Sequence, residues 1–457
     1  MKKFFKNLAK HFKKIESIRL RIALSYVTVI VIGTLLYASG VTMKDFNPIS
    51  LIDAFFTSTT AFSVSGLSVI PRENFNLFGH IVTIILMELG GIGVMAFKLM
   101  IFMFIGQKIN VADRLLISVE QHQNNPAGMV KLLKVSVIIF FVAQIILTIL
   151  LGIDLLCFKG YSLIDALGYG AYHSVSTINS AGFDILPGTF TSLNQDYYWQ
   201  IVVMIGLFIG GIGFPTLYEF YLAFKNKRKK KAFKHSLYFK VNITSYFVIF
   251  GLALIAILIA EKDNILAQYP NVKGVFYVLF QTFSYRSAGF QTISLESFTH
   301  GSQFIFTILM FIGVGAASTG GGIRETTLAI IFLCFISFMK GKENVEVFNR
   351  RLTAKTINNS FIVISFAIML IGLATVSILL QSSNTGIFEA LYEATSAFGT
   401  VGTTLGVTEQ LNTFNKILIA ILMIIGRLSI IGTLLLFTSR KNASTLVKSP
   451  EENITIG

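Results

Sequence analysis

Ser180-Ala181-Gly182-Phe183 returns letter for letter as Ser287-Ala288-Gly289-Phe290. Looser copies stand at Val64-Ser65-Gly66-Leu67 and at Thr400-Val401-Gly402-Thr403. Each copy closes a short apolar segment rich in Ser, Thr, Phe and Tyr. Each is followed, 24 to 28 residues on, by a second glycine-bearing run, starting at Gly90, Gly210, Gly315 and Gly426. A unit that recurs four times at about 110 residues is an internal repeat, and a repeat sets the architecture before any single motif does.

The surrounding composition is that of a polytopic membrane protein. The 457 residues are 53% hydrophobic and only 13% charged, with mean hydropathy +0.70. A soluble domain carries about 25% charged residues. The apolar runs reach the roughly 20 residues needed to cross a bilayer. Repeat 1 is expected over 22–105, repeat 2 over 135–224, repeat 3 over 241–338 and repeat 4 over 359–437. In each, a first span leads to a half-crossing segment (51–62, 165–178, 275–285, 388–398), a glycine turn and a return span. The predicted fold is an all-α membrane protein with four membrane–pore-helix–membrane repeats around one central ion pore. Eight full spans would put both termini on one side.

Charge placement agrees with that topology. The net charge is +15. Lys and Arg number eight in 1–21, four in 106–134, eight in 225–240, five in 339–355 and three in 440–448, together 28 of the 38. By the positive-inside tendency these segments are cytoplasmic. Residues 1–21 read as a basic amphipathic cytoplasmic segment on the inner membrane surface, and 438–457 as a cytoplasmic tail. A signal peptide ending near Ala38-Ser39-Gly40 is the competing reading of the N-terminus. The basic loops lie between spans, so membrane lipids or an acidic cytosolic partner suit them better than nucleic acid. Cys157 and Cys334 fall near opposite faces and suggest neither a disulfide nor a metal site. No Walker loop, GxSxG elbow or ligand-spaced His/Cys/Glu cluster is present, which points away from an enzyme.

The half-crossing segments begin with an acid in register: Asp53 and Glu389 each precede their turn glycine by 13 residues. Asp165 stands about one helical turn further out, and repeat 3 has no acid there. An acid suits a helix start, so the carbonyl end of each short helix points at the turn. Irregular backbone at membrane depth is tolerated where it is buried or lines a watery cavity. Rings of backbone carbonyls replacing a hydration shell make cation filters, and glycine lets those carbonyls aim at one axis. Thr400-Val401-Gly402 repeats the first three letters of the potassium-channel filter. The bland alternative is four packing glycines or ordinary turns.

These motifs, with Asn179, Arg286, Thr319-Gly320-Gly321-Gly322-Ile323-Arg324 and Gly426-Arg427-Leu428, make the chain resemble the Trk/Ktr/HKT superfamily of potassium transporters, specifically the KtrB/KtrD-type membrane subunit of a bacterial Ktr system. The resemblance spans essentially the whole chain. It implies potassium uptake across the cell membrane, often sodium-stimulated. It also implies a homodimer on a cytosolic nucleotide-binding regulatory ring of the KtrA/KtrC type. Nucleotide is expected on that partner and not on this chain; K+ is the transported ion and the sole metal. The filter residues implied are Val64, Ser65, Gly66, Ser180, Ala181, Gly182, Ser287, Ala288, Gly289, Thr400, Val401 and Gly402. Gly66, where plant sodium carriers tend to have Ser, resembles the potassium-selective members. One departure is Gly426-Arg427-Leu428-Ser429-Ile430-Ile431, where the family pattern has Gly or Glu and then Pro.

Residues 303–338 are too many for one straight crossing. Their centre, Gly313-Val314-Gly315-Ala316-Ala317-Ser318-Thr319-Gly320-Gly321-Gly322, holds five glycines in ten residues. Each glycine costs a helix about 1 kcal/mol against Ala, so the segment is expected to break. The resemblance makes the loop a gate under the filter, formed by Gly313, Gly315, Ala316, Ala317, Ser318, Thr319, Gly320, Gly321 and Gly322, with Arg427 expected at the same depth as part of that one barrier. A close-packing helix face is the alternative. Arg427, mid-span, is expected at a bundle interior or pathway, where it would oppose cation passage, or paired with an acid such as Glu88. Lys98 is expected to snorkel, and Arg286 to brace its turn. Two other classes stay open: a coupled carrier of organic solutes, which usually shows inverted repeats, and a membrane scaffold or receptor.

Overall fold

The structure is a computed structural model that describes residues 22–104, 114, 128–188, 190–381, 384–428 and 430–437. The amphipathic segment 1–21, most of the basic loop 106–127 and the tail 438–457 lie outside the described residues.

Repeat 1 comprises α1 (Ile22–Ala38), α2 (Leu51–Ser63), α3 (Leu77–Ile92) and α4 (Val94–Phe104). Repeat 2 comprises α5 (Met129–Phe158), α6 (Leu163–Ile178), α7 (Tyr197–Gly211) and α8 (Phe214–Arg228). Repeat 3 comprises α9 (Leu237–Ala260), α10 (Val272–Ser284), α11 (His300–Ile312) and α12 (Glu325–Met339). Repeat 4 comprises α13 (Ala354–Gln381), α14 (Ile387–Gly399), α15 (Thr413–Leu428) and α16 (Ile430–Phe437).

The short second helices start where their first turns are capped. Ser50 Oγ accepts from Asp53 N at 3.1 Å and donates to its carboxylate at 2.7 Å. Ser162 and Asp165 do the same at 3.2 and 2.7 Å. In α14 the Glu389 carboxylate reaches back to Gly386 N at 3.0 Å. These bonds satisfy donors that a helix start leaves free. The α10 start has no side-chain cap; Asn271 adopts φ 68° there instead.

The return segments correct one expectation. A single return span per repeat was expected, with a break in repeat 3 alone. The structure also bends α3 against the following helix by 103°, and α7 against α8 by 99°. The cause lies at Gly93 (φ 97°) and Gly213 (φ 86°), left-handed positions inside otherwise apolar helices. Pro215 then opens α8, where a missing N–H costs nothing. Among the described residues three helices, α5, α9 and α13, are long and apolar enough to cross a membrane, or five if each bent pair counts as one span. Among the described residues the return segments of repeats 1 and 2 are thus bent as well as that of repeat 3.

The apolar core forms four clusters, each centred on one repeat and joined by side chains of its neighbours. Val82, Leu86 and Phe75 pack in repeat 1, Phe140, Leu147 and Trp199 in repeat 2, Ile257, Phe306 and Leu309 in repeat 3, and Ile371, Ala394 and Ile419 in repeat 4. The repeats then lock in a cycle. The α3 helix packs on α6 of the next repeat, α7 on α10, α11 on α14, and α15 on α2. Lys416 of repeat 4 closes that last contact with an ion pair to Asp53 of repeat 1 at 2.6 Å. The first spans face outward: Ile138, Val142, Ile145 and Ile149 of α5 and Val248, Leu252, Ile255 and Ile259 of α9 are exposed at helical spacing. Apolar stripes of that kind belong against lipid.

Candidate functional site

The four turns meet at the centre of this cycle. Gly66, Gly182, Gly289 and Gly402 have φ of 88°, 65°, 70° and 89°. A Cβ added to Gly66 would lie 2.6 Å from the Ala181 carbonyl oxygen of repeat 2. One added to Gly182 would overlap the Ala288 carbonyl, one on Gly289 the Val401 carbonyl, and one on Gly402 the Ser65 carbonyl. Each turn glycine thus faces the carbonyl that precedes the glycine of the next repeat, and the fourth returns to the first. Any side chain at these positions would push into that ring.

The short helices aim at the ring and shape its turns. Ser65 N bonds Thr60 O at 2.9 Å, Ala181 N bonds Ser176 O at 2.7 Å and Val401 N bonds Ser396 O at 3.0 Å. In these three turns the residue two before the glycine is left-handed: Val64 (φ 54°), Ser180 (φ 56°) and Thr400 (φ 52°). For β-branched Val and Thr that geometry is costly, and such strain clusters at functional sites. Repeat 3 departs. Ser287 is absent from the left-handed set, and both Ala288 N and Gly289 N converge on Ser284 O at 2.9 and 3.0 Å. Hydroxyls brace the turns from the helix side: Ser176 donates to Phe183 O and Ser284 to Phe290 O, both at 2.8 Å. Among the described residues the buried hydroxyls of Thr60, Ser65 and Thr400 make no hydrogen bond within the protein.

Arg286, expected to brace its turn, is held from behind by an ion pair and donates from Nη1 to Tyr246 O at 3.4 Å. Its guanidinium meets the Glu325 carboxylate at 2.7 Å, with the two side chains 1% and 0% exposed. It also lies over the Tyr246 ring at 4.1 Å. Arg72 was not found from sequence. It sits in the one-turn helix Arg72–Asn74 after the first turn. Its guanidinium donates to Gly66 O and, at 3.4 Å, to Gly182 O. Burial pulls it below the ordinary arginine value, against the pull of Tyr172 and Asp184.

Beneath the ring the chain of repeat 3 breaks as expected. Gly313, Ala317, Gly322 and Arg324 all take positive φ between α11 and α12. The loop is tied across repeats. Gly315 N bonds Gly211 O at 3.0 Å, Ala317 O accepts from Phe214 N at 2.9 Å and Ala316 O accepts from Tyr238 Oη at 2.7 Å. The Thr319 hydroxyl reaches Ile178 O and the Ser180 hydroxyl, both at 3.1 Å. Gly320 backs onto Ser287, and Gly321 onto Gly399 and Thr400. Ser318 Oγ accepts from Arg324 at 3.3 Å. The loop therefore touches the undersides of turns 2, 3 and 4.

Arg427 supplies the connection to repeat 1. Its Nε and Nη2 donate to Gly90 O at 3.0 and 2.5 Å and to Gly91 O at 2.5 Å. Its Nη1 donates to Ser318 O at 3.3 Å, Gly320 O at 3.4 Å and Thr319 O. Loop and arginine, expected from sequence to share one barrier, lie in direct contact. Glu88, named as a possible partner of Arg427, accepts from Gln144 at 2.6 Å. Lys98 places its ammonium 5.1 Å from the Phe102 ring centre. The repeating glycines at 90, 210 and 426 have a shared role: a Cβ on any of them would overlap the last carbonyls of the same repeat's short helix, at Phe62, Ile178 and Phe398. Gly315 does not join them, since it lies against Gly211 O and Ile212 O of repeat 2.

Re-entrant helices converging on a carbonyl ring, within a shell of apolar first spans, define a cation-transport membrane protein. The TrkH family model, described as cation transport protein, matches residues 1–446, and the chain belongs to that family. It is a transporter and not an enzyme. The chain is 32% identical over 439 residues to the Ktr system potassium uptake protein D of Bacillus subtilis, covering 95% of this chain and 96% of that one. It is 31% identical over 447 residues to that organism's Ktr system potassium uptake protein B, with the same coverage of 95% and 96%. Its fold matches the crystal structure of the potassium transporter TrkH from Vibrio parahaemolyticus with a TM-score of 0.68, at 18% identity, over 91% of this chain and 84% of the other.

Proposed function

We propose that the chain is the potassium-selective pore subunit of a Ktr-type uptake system, passing K+ down its electrochemical gradient. The observation that carries this reading is the closed cycle in which every turn glycine faces a carbonyl of the next repeat. Carbonyls gathered in this way replace the hydration shell of a cation, and the ends of α2, α6, α10 and α14 add partial negative charge. The names of the Bacillus subtilis relatives support K+ as the ion and a partner subunit as the setting. The Gly313–Gly322 loop with Arg427 acts as the gate: the loop fills the path sterically and the guanidinium repels the ion. Sodium stimulation, homodimerisation, a cytosolic nucleotide-binding ring and cytoplasmic termini complete the reading. The sequence resemblance and the basic segments support these.

Uptake of K+ and Na+ by cells that lack other potassium uptake, with the chain expressed alone and with a Ktr regulatory subunit, tests it. Saturable K+ uptake that exceeds Na+ uptake, and that rises with added Na+ and with the partner, is expected. No K+ uptake under any of these conditions would refute the reading.

A further inference from the structure

Gly182, Gly289 and Gly402 are partly accessible, whereas Gly66 is buried. The group bonded to the Gly66 carbonyl is the Arg72 guanidinium, which also reaches the Gly182 carbonyl of the next repeat at 3.4 Å. Arg72 follows the first turn, in the loop that leads to α3, so it meets the ring from the side opposite Arg427. The Phe183 ring backs the guanidinium at 4.4 Å, a favourable seat for a cation. Arg72 is itself partly accessible, and its buried Nε has no hydrogen-bond partner among the described residues. Asp184 stands near, but its carboxylate is engaged by His173 at 2.9 Å, Leu186 N at 2.9 Å and Phe190 N at 2.6 Å.

A guanidinium is a monovalent cation whose N–H groups seek the same carbonyl oxygens that would coordinate a dehydrated K+. We propose that Arg72 is a tethered cation at the outer mouth of the ring, competing with the entering ion for the Gly66 and Gly182 carbonyls and so setting the apparent affinity for external K+. This rests on the pore reading above. Arg72 acts here as a specificity and affinity determinant, and the Phe183 ring holds its seat.

The test is rubidium tracer uptake against external K+ by the full chain with its regulatory partner, comparing wild type, Arg72→Gln and Arg72→Lys. External guanidinium chloride serves as the competing probe. Arg72→Gln is expected to lower KM by about fivefold, the worth of one net hydrogen bond, with the maximal rate near wild type. Guanidinium ion should inhibit that variant competitively with K+, and more strongly than it inhibits wild type, because the seat is free. Lysine keeps the charge but loses the fork, so Arg72→Lys should fall between. An unchanged or raised KM, or guanidinium inhibition equal in all three, overturns the proposal and leaves Arg72 as a brace of the turn. If Arg72→Gln does not assemble, as judged by size-exclusion in detergent, the KM of Arg72→Lys decides on the same criterion. Absence of uptake by wild type would instead defeat the pore reading.

Discussion

Two sets of glycines do different work. Those at 66, 182, 289 and 402 combine positive φ with a facing carbonyl from the next repeat. Those at 90, 210 and 426 let each return helix touch the end of its own short helix. Gly210→Ala would drive a methyl into the Ile178 carbonyl. It should cost about 1–3 kcal/mol, seen as a lower melting temperature in detergent. The Arg286–Glu325 pair, fully buried, makes a second prediction. Glu325→Gln leaves a buried charge unpaired and should cost about 3–5 kcal/mol, while Arg286→Met with Glu325→Leu should recover most of it. The same melts measure both. The glycines were legible because they recur. Arg72 and Glu325 were not, because each makes its contact once, Glu325 with Arg286 inside repeat 3 and Arg72 with the Gly66 and Gly182 carbonyls, and leaves no period. The signal that remained was Pro71-Arg72 itself, an arginine six residues after the turn glycine, where the other three repeats have Gly188, Leu295 and Thr408.

Among elements, the short helices were legible to within a few residues, since their apolar runs, and in three of the four an acid, mark start and end. The return helices were not. Gly90-Gly91-Ile92-Gly93 and Gly210-Gly211-Ile212-Gly213 read as glycine-bearing runs inside one return span, yet their last glycine breaks the helix. A glycine that packs and a glycine that turns look alike until φ is known. The repeat 3 loop, by contrast, announced its break by glycine density. Its attachment is what the sequence hid. Tyr238 holds Ala316 O at 2.7 Å, so Tyr238→Phe removes one bond with little change of shape. That should free the loop by about 1 kcal/mol and raise flux most when the regulatory partner is absent. Arg427→Ala should also raise flux, with the K+ to Na+ ratio near wild type, because the ring above is untouched. Combining the two should add little beyond the larger effect, since both residues hold the same loop. Tracer flux on assembled protein checks all three variants; unchanged dependence on the partner would reduce the loop to packing.

At the scale of the molecule, the cycle of return helix on next short helix turns four weakly similar repeats into one ring. The repeat predicted such a closure, but not that it runs through Lys416 and Asp53, 363 positions apart. Lys227, Arg228, Lys229, Lys230 and Lys231 are all exposed at and just beyond the end of α8, past the bend at Gly213. Neutralising these five should weaken binding of a cytosolic regulatory ring and make the remainder less sensitive to salt. Pull-down at low and high ionic strength measures it. The central claim, that the four turns form one potassium filter, is tested most directly by the ratio of K+ to Na+ uptake in Gly66→Ser, Gly182→Ser, Gly289→Ser and Gly402→Ser, each confirmed to assemble. A side chain at any of the four enters the same ring, so the ratio should fall in every variant, by unequal amounts because the third turn is built differently. A ratio unchanged from wild type in all four would contradict the claim.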